Sequence, residues 1–155
     1  MKHIKSERGQ SLVELAISIT ILVYLLAGAV EFGMAFFQFV QLRDAAQEGA
    51  LYGSMNPTSL TTIEERARGA SNSPIDLSLA APNPAKVQIY VDSVLVQENF
   101  APTGATVSAC EGHGLEVRIS FDHQIFMPFI PAFIGRSFIP LNATVTDTIL
   151  SPICP

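Results

Sequence analysis

Residues 9–54 read GQSLVELAISITILVYLLAGAVEFGMAFFQFVQLRDAAQEGALYGS, an apolar run that carries one glutamate, Glu14, near its start and a second, Glu31, in its middle. Leu15 to Val30 holds no formal charge, and the apolar character resumes after Glu31 in FGMAFFQFV. A helix needs about 20 apolar residues to cross a bilayer. Leu15 to Phe37 meets that need and places Glu31 inside the span or near its outer edge. Lys2, Lys5 and Arg8 precede the run and no further Lys or Arg follows until Arg43. The positive-inside rule therefore keeps the N-terminus in the cytoplasm and sends the C-terminal part across. Composition points the same way: of 155 residues, 48% are hydrophobic and 15% charged, with a mean hydropathy of +0.35. The formal net charge of −5 supplies no basic surface for nucleic acid.

Three sorting readings account for the basic stub. In a secretory signal peptide, Leu15 to Leu26 is the apolar core and Ala27-Gly28-Ala29 the cleavage site; this leaves the apolar run through Phe39 without a purpose. An uncleaved signal anchor keeps the whole run but treats Glu14 as an accident. In the third reading, residues 1–9 are a short leader cut after Gly9 on the cytoplasmic side, which places Glu14 fifth from a new N-terminus at Gln10.

The string RGQSLVELAI followed by AGAVEFGMAFFQFVQLRDAAQEGALYGS resembles the N-terminal half of the TadE-like proteins of tight-adherence (Tad) pili. Leu15 stands where the family has an aromatic residue, and Glu31 where aspartate is common. Gly-x4-Glu alone is a weak signal; joined to EFG and AAQEGALYG at these spacings it is specific. The resemblance implies a prepilin-type leader, cleavage between Gly9 and Gln10 by a prepilin peptidase, other pilins and the Tad secretion machinery as partners, and a single pass through the bacterial inner membrane. It also implies that Glu14 serves assembly, its carboxylate paired with the new α-amine of Gln10, usually on a neighbouring subunit. A carboxylate in hydrocarbon costs several kcal/mol unless paired, so such a partner explains why Glu14 is tolerated. The competing reading makes Glu14 a helix-terminal acid at headgroup level, favoured by the macrodipole.

Beyond the span, Phe32, Phe36 and Val40 recur at helical spacing among increasingly polar neighbours, so one helix is expected over residues 10–54. Asn56-Pro57 is a turn signal, and residues 55–155 form the exported part. Thr58 or Ser59 can cap a second helix reaching Ser71, with Glu64 and Glu65 early and Arg66 and Arg68 late. Alternation in KVQIYVDSVLV, LEVRISFDH and PLNATVTDTIL predicts strands, the first continuing or turning at Asp92-Ser93. The expected fold class is α+β: a long transmembrane helix running into a small domain with an antiparallel sheet of three or four strands. FMPFIPAFIG is broken by Pro128 and Pro131 and is at best a short helix. Its apolar residues Phe126, Phe129, Ile130 and Phe133 form either a lid over the sheet or a partner or membrane-surface contact.

No GxxxxGK, GxSxG, HExxH or SxxK motif occurs, so no enzymatic role and no cofactor are expected. Cys110, Glu111 and His113 are the one ligand-like cluster, and a zinc site wants further ligands at fixed spacing; Gly112 and Gly114 make the stretch read as a turn, and no metal is expected. Cys110 and Cys154 both lie in the exported part, where an oxidising compartment favours a disulfide. The resulting reading is a structural or assembly component, a minor pilin or pseudopilin, of a Tad-type adhesion pilus. The alternative is a membrane-anchored extracytoplasmic module that captures a ligand without belonging to a pilus.

Overall fold

The structure, a computed structural model, describes residues 8–71, 73, 75–127 and 130–151. Its first element is a 48-residue helix, α1 (Arg8–Met55). At 1.5 Å per residue it is about 72 Å long. Its most apolar 18-residue window has a mean hydropathy of 2.2 and none of it is buried, so the helix is long and apolar enough to cross a membrane. Among the described residues the first buried one is Glu31. From there one stripe of the helix turns inward through Ala35, Leu42, Ala45, Ala46, Gly49, Ala50 and Gly53. Small residues dominate that stripe because the rest of the domain comes very close. A Cβ on Gly49 would stand 3.0 Å from the Ala67 Cβ, and one on Gly53 would stand 2.7 Å from Leu115 Cδ2.

After the turn at Asn56-Pro57, α2 (Leu60–Gly69) packs against α1. It is shorter than the expected run to Ser71, and its start differs in kind. Ser59 occupies the N-cap position but makes no side-chain cap hydrogen bond. Glu64 is not a first-turn acid serving the macrodipole; it is buried beneath the helix with Arg68, which the tertiary structure has taken for a different purpose. Arg68 donates from Nε to Glu64 Oε1 at 2.8 Å, from Nη1 to the Leu77 and Ala85 carbonyls at 2.6 and 3.1 Å, and from Nη2 to Asn99 Oδ1 at 2.8 Å. Gln97 Nε2 and the Phe100 amide donate to Glu64 Oε2 at 2.9 and 2.7 Å. Both charges are thus surrounded by partners, as buried ions must be.

The sheet has five strands, one more than the upper expectation: β1 (Lys86–Val91), β2 (Val94–Glu98), β3 (Ala101–Pro102), β4 (Gly114–Gln124) and β5 (Phe138–Thr148), in the order β3-β2-β1-β4-β5. Each neighbouring pair is antiparallel. The chain does turn at Asp92-Ser93, whose φ values of 47° and 67° suit a two-residue hairpin whose central residues both have positive φ. The additional strand, β3, is two residues long and follows a similar tight turn at Asn99-Phe100. Val87, Ile89, Val91, Leu115, Val117, Ile119 and Ala143 alternate onto the inner face, where they meet α1 and α2 in one core. The opposite face carries the ion pairs Lys86–Glu98 and Arg118–Glu116. The apolar stretch between β4 and β5 does form a short helix, α3 (Ile130–Ile134), which ends at Gly135 with φ 69°.

Leu115, at the start of β4, lies beside Gly53, whereas His123, near its end, lies beside Gln38 and Glu31. The strand therefore runs antiparallel along α1, and its last residues return to where the helix leaves its unburied half.

Candidate functional site

Glu31 on α1 and His123 on β4 form a secluded polar pair, 3% and 0% exposed respectively. His123 Nε2 donates to Glu31 Oε1 at 2.9 Å, and Nδ1 lies 2.7 Å from Gln38 Oε1. The imidazole thus bridges Glu31 on one side and the Gln38 amide on the other. The backbone amides of Phe126 and Met127 donate to Glu31 Oε1 and Oε2 at 3.2 and 3.3 Å. The Phe126 ring meets the imidazole edge-on, with 6.4 Å between centroids. One carboxylate thus ties the end of β4 and the backbone at Phe126 and Met127 to α1, where one stripe of the helix first becomes buried.

The sequence marked Glu31 as an acid in apolar surroundings but did not identify its partner. A usable signal existed: such an acid needs a partner, and only three histidines were available. What no local pattern supplied was the choice of His123, 92 positions away.

Gly9, Gln10 and Glu14 all lie exposed on the first turns of α1. Glu14 makes no hydrogen bond or ion pair among the described residues. Gln10 sits four positions before it, one helical turn away on the same face. Nothing within 4 Å would meet a Cβ on Gly9, so no packing within the described chain requires glycine there.

Phe126 is 69% exposed, and Ile130 is half-buried where α3 faces α1. Phe133 belongs to α3, and Phe129 lies outside the described residues. An apolar groove of about 390 Å³ runs between α1 and β5, with Gly28 and Phe32 on the helix side and Ile130, Ile139 and Leu141 opposite. Ile130 thus stands beside the helix, on a groove whose helix side runs from Gly28 to Phe39.

In the CEGHG turn, Gly112 has φ 90° and His113 Nδ1 pairs with Asp92 Oδ2. His113, together with the Gly114 amide at 3.0 Å, holds the Asp92 carboxyl below its ordinary pKa. Among the described residues no group of three or more His, Cys, Asp or Glu could hold a metal ion. Cys110 is buried and not free. Cys154 lies outside the described residues.

Residues 9–51, all within α1, match the family model described as TadE-like protein. The resemblance read from GQSLVE, EFG and AAQEGALYG thus stands over the helix that carries those motifs. No match was found among curated proteins or solved structures.

Proposed function

We propose that this chain is a structural component, a minor pilin or pseudopilin, of a Tad-type adhesion pilus. Residues 1–9 are its leader, removed by a prepilin peptidase between Gly9 and Gln10. Residues 10–54 are the transmembrane helix and its extension, and residues 55–155 the exported domain. Lys2, Lys5 and Arg8 hold the N-terminus in the cytoplasm, so the domain stands on the extracytoplasmic side of the inner membrane. The observation that carries this reading is the TadE-like match over a helix whose first half is bare and whose Glu14, one turn from Gln10, has no partner among the described residues. A monomer in a bilayer leaves that carboxylate uncompensated; a second processed helix offers an α-amine to it. The function is assembly, with other pilins and the Tad machinery as partners. Cys110 and Cys154 are joined, pinning the C-terminal tail to the domain.

The test is made in cells that supply the peptidase. Intact mass should give Gln10 as the first residue, and Glu14→Gln should be cut and inserted normally yet lose crosslinking to other pilus components and lose piliation. Removing one partner of a buried pair costs about 3 to 5 kcal/mol, and nearby water and headgroups put this one at the low end or below. An N-terminus at Val30 would mean ordinary signal peptidase and end the proposal. Full piliation of Glu14→Gln would reduce the glutamate to a helix-terminal acid.

A further inference from the structure

The bare part of α1 has the length of a bilayer core, and a specific piece of the outer domain lies at its end. Gln10 to Val30 rises about 31 Å, against about 30 Å for the hydrocarbon of a membrane. At the next residue, Glu31 is sequestered by His123 and by the amides of Phe126 and Met127. Those three hydrogen bonds fix the height of the end of β4 and of Phe126 and Met127 on the helix. The groove that holds Ile130 runs along α1 from Phe39 down to Gly28, so its lower end reaches the span itself. Phe126, Ile134 and Phe138 point away from the core, 69%, 49% and 38% exposed.

Charge singles out the same segment. Residues 55–155 hold nine Asp or Glu and five Lys or Arg, so most of the domain is repelled by an anionic membrane surface. Between Asp122 and Asp147 there is no acid at all, and the one full-time cation is Arg136, which is exposed. Apolar side chains with a single arginine, contiguous with a membrane span, match the acyl-headgroup boundary of a lipid leaflet.

We infer that the β4–β5 connection is a membrane collar: Phe126, Ile134 and Phe138 seat in the outer boundary of the bilayer, with Arg136 among anionic headgroups. This rests on the membrane reading of α1 given above. The collar holds the domain upright on the membrane, with the turn at Asp92-Ser93 and the Gly114 end of β4 farthest from lipid. Glu31 to Gly53 along α1 puts that far end about 33 Å away. Extraction of the subunit into a fibre would strip the collar from lipid.

The chain contains no tryptophan, so single substitutions report without background. The full chain, reconstituted in vesicles of phosphatidylethanolamine and phosphatidylglycerol brominated on their acyl chains, is made as Phe126→Trp, Ile134→Trp and Phe138→Trp. Leu22→Trp marks the span and Val94→Trp the far end of the sheet. The collar tryptophans should be blue-shifted and quenched by the bromolipid, less than Leu22→Trp and clearly more than Val94→Trp. Collar positions no more quenched than Val94→Trp, beside a quenched Leu22→Trp, would overturn the collar and leave the anchor standing. An unquenched Leu22→Trp would remove both. Collar tryptophans that bromolipid does not reach, but that other pilus subunits shield from an aqueous quencher, would assign the surface to protein and equally overturn the inference.

Discussion

Replacing His123 by leucine should open the junction between α1 and the end of β4 without unfolding the sheet. The substitution removes the 2.9 Å hydrogen bond to a carboxylate that is 3% exposed. Breaking a buried pair from one side typically costs about 3 to 5 kcal/mol. Glu31 would keep the Phe126 and Met127 amides, at 3.2 and 3.3 Å, so the low end applies. A cost of about 3 kcal/mol is about 100-fold in the local opening equilibrium. Amide hydrogen exchange of the full chain in nanodiscs reads it directly. Exchange from Phe121 to Met127 should accelerate by about that factor, whereas the amides of Val87 and Ile89, in the middle of the sheet, should change little. Glu31→Gln leaves one oxygen where the Phe126 amide and His123 on Oε1 and the Met127 amide on Oε2 now use two, so its NH2 faces a donor and its effect should be about 1 to 3 kcal/mol, the cost of an unsatisfied buried group. Unchanged exchange in His123→Leu would refute the Glu31–His123 contact as what fastens the junction.

Arg68→Ala should lower domain stability by about 3 to 5 kcal/mol, read as a shifted denaturant midpoint, because it strands buried Glu64. Arg68→Lys should recover little of the loss, since three guanidinium nitrogens serve separate acceptors that one ammonium cannot reach together. The Asp92 turn should loosen in acid: its folded pKa is lowered, so its contribution is complete above the ordinary value of about 3.9 and disappears as pH falls through the lower folded one. Exchange at the Gly114 amide, followed between about pH 5 and pH 2, should show that step in the native chain and not in Asp92→Asn. Intact mass of the exported protein without reductant should be lighter by two hydrogens than after reduction, with Cys110 and Cys154 linked in one peptide pair. Free thiols or a link between chains would defeat that pairing.

Much of this architecture lies in local pattern. The uncharged run from Leu15 to Val30 and the small residues in AAQEGALYG determine a helix that is bare at one end and closely packed at the other. Period-two alternation determines β1, β4 and β5, and Pro128 and Pro131 determine that the connection between the last two is irregular. Each is a property of neighbours in the chain, decided by backbone geometry and by which face is apolar. β3 escaped because two residues cannot show a period. Glu64 was misplaced because propensity favours an acid early in a helix, whereas burial beside Arg68, Gln97 and the Phe100 amide gave it a role that outweighs the macrodipole. Tertiary structure alone decided where the bare helix ends. The sequence left Glu31 inside a span or at its edge, since hydropathy averages over about 19 residues and cannot assign one carboxylate to lipid or to protein. That choice depends on desolvation, and only the return of β4 along α1 brings an imidazole and two backbone amides, from more than 90 positions away, to the one acid that needs them.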